Sequence, residues 1–387
     1  MENAEWDWEQ INQVKWRAFK NLLNIKKKIL LMYRDIKEKA VIWKMSEWTE
    51  VAGIAKALCK YAFLFQMSSE LQEKCAGFRE ILGRKETQNR EPSEILENTF
   101  EIIELLEEYI GQRAKKCNVC GNDVFFTPIP AGYEAMRKQC HFLYWDADFQ
   151  LESRENYGCP VCGAYDRDRL MIAFLEDIRN EGDEKLRMLQ VAPSEAIERY
   201  ALGREDILYE STDLMMPGVT FQADLQNMDT VEDETYDIIV CAHVLEHVRD
   251  DAKAMRELCR ILKPDGVCLV LVPLIVGISE TDEQWGCSVA ENWRRFGQGD
   301  HSRLYGKEDF IKRLKYAGFY VNELGREWFG NEFYQEYGFD DLSILYVATK
   351  EIKLLEEKDE DYAKKLEKEI HDEVYESQII ADFSENV

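Results

Sequence analysis

Four cysteines stand in two short pairs, Cys117-x-x-Cys120-Gly and Cys159-x-x-Cys162-Gly. Two intervening residues let both sulfurs of a pair face one ion, and the glycine after each pair lets backbone amides turn toward sulfur. Four thiolates complete a tetrahedral zinc ion and leave no position for substrate, so the expected role is structural. Iron–sulfur ligation and free thiols are the alternatives, and Cys140 or His141, between the pairs, could replace one ligand. A second set of residues suits a nucleoside. Asp213 follows the apolar run ending at Val191 by about twenty residues and closes the next apolar run; a carboxylate there can accept two hydrogen bonds from a ribose diol. A helix cap is the alternative. Asp224, in A-D-L with Leu225, could accept an adenine amino group or simply hold a turn.

A third set could handle an acceptor: His243 and Glu246 after a third strand-like run, and Asp300, His301, Arg303 and Tyr305 in a long insert at 274–306. His243 and His247 would share a face if their segment were helical, so a metal pair is conceivable. No carboxylate or third-ligand pattern completes such a site, so a loop histidine beside a ligand and a packing histidine are expected instead. His301 could be catalytic or could anchor its loop. Arg294, Arg295 and Arg303 could grip an anionic acceptor, with a solvated loop as the alternative.

These residues need a frame that brings strand ends together. From about 169 to 350, apolar strand-like runs near 187–191, 207–210, 236–241, 267–272, 320–324 and 342–349 alternate with amphipathic helices, including 194–202, 251–262 and 307–317, the pattern of a βαβ sheet. The insert at 274–306 exceeds an ordinary connection and is expected to act as a lid or substrate platform. Upstream, residues 1–112 carry helical periodicity: Trp8, Ile11, Lys15, Phe19, Leu22 and Ile25 recur at three- and four-residue steps. Pro92 opens a helix striped by Ile95, Ile102, Leu106 and Tyr109, which Gly111 closes; 84–91 is a connection. Residues 113–168 form the cysteine module, and 351–387 a charged helix or tail.

The 387 residues allow two or three domains, and an apolar fraction of 45% supplies a core. A net charge of −26 argues against a nucleic-acid partner or an anionic membrane surface, and no apolar run is long enough to span a bilayer. The N-terminal residues show no secretory-signal pattern, and the 11 cysteines fit a reducing compartment, so a cytoplasmic location is expected. The basic segment 15–44 and the acidic segment beyond Glu351 could attract each other, within or between subunits. Trp6, Trp8, Trp16, Trp43 and Trp48 are expected to pack a helical core or the seam of a homodimer formed through the N-terminal helices.

The ordered series V-A-P-S-E-A at 191–196, Asp213, Asp224, Y-D-I-I-V-C-A-H-V-L-E-H-V at 236–248 and L-K-P-D-G at 262–266 resembles the class I (Rossmann-like) S-adenosylmethionine-dependent methyltransferases over roughly 165–350. C-P-V-C-G-A-Y-D-R-D-R-L at 159–170 and F-G-Q-G-D-H-S-R-L-Y-G at 296–306 look like a bacterial, methyltransferase type 11-like subgroup with a cysteine knuckle ahead of that domain. The resemblance implies an α/β fold with a seven-stranded sheet whose last strand is antiparallel, an N-terminal helical region and a small four-cysteine zinc module. It implies S-adenosyl-L-methionine as cofactor, held by Val191, Ala192, Pro193, Ser194 and Glu195, by Asp213 at the ribose, by Asp224 and Leu225 at the adenine, and by Ala242 and His243. The expected reaction is O- or N-methylation of a small-molecule or glycan acceptor, with His243, Asp300 and His301 as catalytic candidates and Arg294, Arg295, Arg303 and Tyr305 as substrate contacts. A binding-only module or an interaction scaffold is the alternative. Three positions depart from the family pattern: the first loop has no glycine, Gln190 stands where an acid is frequent, and Asp265 stands where a glycine is usual.

Overall fold

The computed structural model describes residues 8–39, 54, 57–58, 60–61, 92–178 and 184–351. Trp6, Trp43, Trp48, the connection expected at 84–91 and the tail beyond Glu351 lie outside them. In chain order the elements are α1 (Trp8–Lys39), α2 (Pro92–Arg113), β1 (Lys115–Lys116), β2 (Asp123–Val124), α3 (Ala131–Gln139), α4 (Asp166–Asp177), β3 (Leu186–Val191) and α5 (Glu195–Leu202). There follow β4 (Ile207–Asp213), β5 (Phe221–Gln222), β6 (Tyr236–Ala242), a 3-10 turn (Leu245–His247), α6 (Asp251–Ile261), β7 (Leu262–Leu271), β8 (Leu274–Ile275), β9 (Asp282–Glu283) and α7 (Val289–Phe296). The described chain closes with β10 (Arg303–Gly306), α8 (Lys307–Tyr316), β11 (Tyr320–Leu324), α9 (Arg326–Phe329), α10 (Asn331–Tyr337) and β12 (Leu345–Thr349).

Two compact units emerge, and they interleave along the chain where the sequence suggested contiguous blocks. One comprises Met1–Pro128, Arg154–Tyr165 and Glu332–Phe339; the other comprises Ile129–Ser153, Asp166–Asn331 and Asp340–Val387. In the first unit α1 and α2 bury Ala18, Leu22 and Ile29 with Leu96, Ile102, Ile103, Leu106 and Ile110. These positions recur at three and four residues, so each helix presents one apolar stripe. Pro92 starts α2 without forfeiting a hydrogen bond, because the first amides of a helix have no intrahelical partner. The helix runs past Gly111 to Arg113. Lys26 of α1 pairs with Glu107 of α2, so part of the basic stretch finds its acid inside this unit.

The second unit is built on a seven-stranded sheet in the order β11-β12-β7-β6-β3-β4-β5. Strands β3 to β7 run parallel, and β12 is antiparallel to both β7 and β11, as the expected architecture requires. The six strand-like runs read from sequence are the six long strands. The seventh, β5, has two residues, too few to show a period. The core of β3, β6 and β7 is almost entirely buried, as in parallel strands covered on both faces. Val191 pairs with both Thr212 and Cys241, and Ala242 pairs with Leu271, so four parallel strands end nearly level. Between β3 and β6 the strand order reverses, which opens a crevice at their carboxyl ends.

The L-K-P-D-G stretch lies within β7 as an irregularity: pairing jumps from Tyr236↔Leu262 to Ile238↔Val267. Pro264 has no amide to offer the ladder, and a Cβ on Gly266 would lie 2.9 Å from the Asp237 carbonyl oxygen, so the glycine is required there. The insert at 274–306 is ordered as a small sheet, β8-β10-β9, with α7. Ser288 caps α7 by accepting from the Glu291 amide, and Gly297, with φ +75°, ends it in a left-handed turn. Phe142, Ile275, Phe296 and Leu304 form the insert's own apolar cluster.

Candidate functional site

The two cysteine pairs meet in the first unit. Cys117 Sγ lies 3.8 Å from Cys162 Sγ, and Cys120 Sγ lies 3.9 Å from Cys159 Sγ. All four sulfurs fall within 4.8 Å of one another. A tetrahedron of thiolates about 2.3 Å from zinc has edges of about 3.8 Å, so this group could hold that ion. The knuckles are copies: Gly121 donates to the Cys117 carbonyl at 2.8 Å and Gly163 to the Cys159 carbonyl at 3.0 Å, with φ of +70° and +75°. Cys117 also donates its amide to the Asn122 carbonyl, and Cys159 its amide to that of Ala164, at 2.9 Å each. Hydrogen bonds from Cys159 and Cys162 hold the Cys117 thiol down at about 2, while bonding to that sulfur raises both neighbours, Cys162 to about 12. One negative charge is stabilised and further ones are opposed, a conflict that a dication resolves. Cys140 and His141 belong to the other unit and take no part in the group.

In the second unit, the crevice is lined as the strand ends dictate. Ala192 follows β3 with φ +49°, and His243 follows β6 with φ +56°. For residues with a side chain this left-handed backbone costs about 1–2 kcal/mol, and such strain collects at functional sites. Both conformations are pinned by ladder bonds at 2.8 Å, from Ala192 N to the Thr212 carbonyl and from His243 N to the Leu271 carbonyl. The glycine-free first loop therefore takes the backbone shape a glycine would take. Pro193 and Ser194 are half-buried, Glu195 is exposed, and Val191 is buried. Ser194 precedes α5 without capping it. Its hydroxyl donates to Asp168 Oδ1 at 3.1 Å and accepts from Gln190 Nε2 at 3.3 Å. Asp168, from α4, thus brings an acid to the loop where Gln190 supplies none. Its signal was the D-R-D-R run beside the second knuckle, in which the sequence analysis did not single out Asp168.

Asp213 ends β4 half-buried. Its Oδ1 accepts from the amides of Met215 and Met216 at 2.7 Å each, which leaves Oδ2 outside those bonds. Oδ1 fixes a turn, and no helix follows β4, so Asp213 is not the helix cap offered as its alternative; Oδ2 stands outside those bonds. Asp224 is exposed, and its Oδ1 accepts from the amide and side chain of Gln226 at 2.9 and 3.0 Å. That is the turn role, and adenine recognition has no support from this geometry. Leu225 beside it is buried, and Ala242 is half-buried at the end of β6.

Beyond His243 the chain makes the 3-10 turn that carries Glu246 and His247. Glu246 is fully buried, and neither carboxylate oxygen has a hydrogen-bond partner. Its Oε1 lies 3.5 Å from His243 Nδ1, 3.9 Å from His247 Nε2 and 3.9 Å from His301 Nε2. The rings of His247 and His301 meet edge to face at 4.7 Å. Asp300 places its carbonyl oxygen 3.2 Å and its carboxylate 3.7 Å from His247 Nδ1. Burial raises the Glu246 carboxyl to about 8. Burial, then the charge of Arg167, lowers His243 well below its ordinary range, although its side chain keeps 20% exposure. Burial, then His247, lowers His301 to about 3, so both imidazoles are neutral at physiological pH. The expectation that no carboxylate or third ligand joins the histidines is corrected: Glu246 and His301 do so. The segment is a 3-10 turn, so the helical face on which His243 and His247 would have paired is not formed.

Two expected substrate contacts are corrected. Arg303 is buried, and its guanidinium donates to the carbonyls of Leu245 (2.6 Å), Val248 and Arg249 (3.1 Å) and to Glu283 (3.1 Å). The Tyr305 hydroxyl is buried and donates to Asp251 at 2.8 Å. These side chains hold the 3-10 turn against the insert, because buried polar groups without partners would be costly. Arg295 is taken up by Asp282 and Gln284. Arg294 pairs with Glu291 at 2.6 Å and remains partly exposed.

Comparison with known proteins finds similarity over part of this frame. Residues 149–324 match the model of a family described as a methyltransferase domain. A thiol S-methyltransferase of Homo sapiens, TMT1A, is 27% identical over 93 residues, a match that spans 20% of this chain and 38% of that protein. Among solved structures, an S-adenosylmethionine-dependent methyltransferase of Mesorhizobium loti is 14% identical, covering 46% of this chain and 97% of its own, with a TM-score of 0.32. Another, from Archaeoglobus fulgidus, is 11% identical, covering 48% and 94%, with a TM-score of 0.31. Residues 149–324 are thus similar to a methyltransferase domain, and they include six of the seven strands of the mostly parallel sheet. Among the described residues, no helix is long and apolar enough to cross a membrane.

Proposed function

We propose that this protein is an S-adenosylmethionine-dependent methyltransferase acting on an oxygen or nitrogen of a small-molecule or glycan acceptor. One observation carries the reading. Within a stretch matching a methyltransferase domain, the ends of β3, β4 and β6 put a left-handed Ala192 turn, the Asp213 carboxylate and His243 around one crevice. The residues fit the cofactor: Asp213 Oδ2 for the ribose, and the half-buried Ala192, Pro193 and Ser194 for the methionine end. When bound, the sulfonium supplies an electrophilic methyl group. Held there, it would give its methyl group to the acceptor's lone pair and keep the S–CH₃ electron pair on sulfur. An acceptor proton passes to the neutral imidazole of His243 or to water. Positioning of the acceptor in line supplies most of the acceleration. A structural zinc ion in the four-cysteine group completes the proposal.

The missing glycine is the observation behind the binding-only alternative, and the left-handed backbone at Ala192 supports the enzymatic reading against it. The human relative's name specifies a thiol acceptor. Calorimetric titration with S-adenosylhomocysteine tests the reading. Saturable binding is expected, and Asp213→Ala should weaken it about 100-fold through loss of charge-assisted hydrogen bonds. Unchanged affinity would remove Asp213 from the site, and absence of any binding would end the enzymatic reading.

A further inference from the structure

A fully buried carboxylate whose two oxygens have no hydrogen-bond partner is rare, because desolvation of an unpaired charge is expensive. Glu246 is such a group, and three imidazole nitrogens stand within 3.5–3.9 Å of its Oε1. We propose that Glu246, His247 and His301 bind a divalent transition-metal ion of the zinc class at the acceptor end of the crevice. This rests on the methyltransferase reading only for the ion's role, which is to hold an oxygen-bearing acceptor.

One carboxylate oxygen and two imidazole nitrogens, all within 4.8 Å of one another, form a ligand set suited to zinc and its neighbours. Tetrahedral bonds of about 2.0–2.2 Å set ligand atoms about 3.4 Å apart, so the two 3.9 Å separations need to close by about 0.5 Å and the third, within 4.8 Å, by at most about 1.4 Å. The orientation of His247 is already prepared. Its Nδ1–H donates to the Asp300 carbonyl at 3.2 Å, which leaves the Nε2 lone pair directed to the side where Glu246 lies. His301 is 4% exposed, and His247 is the partly open ligand at 34% side-chain exposure. Positive charge from Arg167 and Arg303 and negative charge from Asp300 also bear on Glu246. Three protein ligands leave positions open, in contrast to the closed set of four thiolates. Because Glu246 also reaches His243 at the end of β6, an acceptor hydroxyl bound at an open position would stand beside the crevice with its proton made more acidic.

The test is zinc analysis of the full chain after equilibration with excess zinc and removal of loose ions. Wild type should retain one more zinc per chain than Glu246→Gln, which keeps the side-chain shape and removes a buried charge. Partly exposed His247→Ala provides a second variant should Glu246→Gln not fold. Cobalt substitution separates the sites, since thiolate-to-metal charge-transfer absorption marks only the cysteine group. Loss of the additional cobalt in the variants with that absorption unchanged supports the proposal. Equal metal content in wild type and both variants overturns it. S-adenosylhomocysteine titration in parallel keeps the two claims apart. Metal retained without nucleoside binding sustains this site and defeats the methyltransferase reading, whereas nucleoside binding with no additional ion defeats this site alone.

Discussion

The four-cysteine group and the Glu246 cluster are both compact sets of ligating side chains, yet they are built by opposite means. Each cysteine knuckle is local: two sulfurs, a glycine and two backbone bonds lie within about six residues, and the same unit occurs twice. The Glu246 cluster is assembled from a 3-10 turn after β6 and a loop more than fifty residues later, brought together by Arg303. The first offers four ligands of one kind around its centre. The second offers three of mixed kind and opens beside a crevice. A closed thiolate set suits a structural ion and an open mixed set suits chemistry. The comparison also separates what short-range spacing encodes from what only the finished fold supplies.

The largest effect should come from the closed group. Chelation of zinc, or Cys159→Ser, removes binding free energy of about 10 kcal/mol that is coupled to folding. Loss of structure around β1 and β2 is expected, measured by hydrogen exchange on the chelated protein. Full protection after verified metal loss would break the comparison, since the knuckles would then hold without an ion. Next comes the clamp of the open cluster. Arg303→Met strips partners from the carbonyls of Leu245, Val248 and Arg249 and unpairs Glu283, which should destabilise the protein by about 3–5 kcal/mol in denaturant unfolding. A normal unfolding midpoint with a raised KM would return Arg303 to the substrate and undo its structural assignment.

Legibility follows the same division. Cys-x-x-Cys-Gly specifies its own geometry, so the four thiolates were readable before any fold was known. Strands β3, β6 and β7 were readable because buried parallel strands are continuous apolar runs, β4, β11 and β12 from shorter strand-like runs between helices, and the place of Asp213 because it closes β4. Asp168 was not readable, since its role depends on α4 packing beside Ser194. The clamp role of Arg303 and Tyr305 was hidden because charge and aromaticity in a loop look alike whether they face solvent or three buried carbonyls. Glu246 and His301 were each noticed but could not be joined, because no local rule brings residues 246 and 301 together. The insert looked like a loop because its strands, of two to four residues, are too short to show a period.

A smaller effect sharpens the contrast through pH. Asp166, at the start of α4, is fully buried and accepts from the amides of Ser153 and Arg167 at 2.8 Å each; burial lifts its carboxyl to about 7. A carboxyl raised in the folded state contributes stability that is fully present below its unfolded pKa, near 3.8, and is lost as pH rises through about 7. The unfolding midpoint of the sheet unit should therefore fall across that window, by up to about 4 kcal/mol. Asp166→Asn should flatten the profile. A variant with the wild-type slope would place the responsible carboxyl elsewhere.

The smallest effect bears on the glycine-free loop. At Ala192, with φ +49°, replacement by glycine relieves about 1 kcal/mol of backbone strain and increases the freedom of the unfolded chain by a similar amount, so stability should barely change. Ala196→Gly, four residues on in α5, has no strain to relieve and should cost about 1 kcal/mol. Ala192→Val adds a β-branched side chain to the left-handed turn and should cost about 1–2 kcal/mol, with weaker S-adenosylhomocysteine binding as the turn shifts. The order of unfolding midpoints then tests the loop directly: Ala192→Gly near wild type, the other two below it. Were the two glycine variants equally destabilised, Ala192 would be behaving as an ordinary residue, and the argument that this loop reproduces a glycine turn would fail.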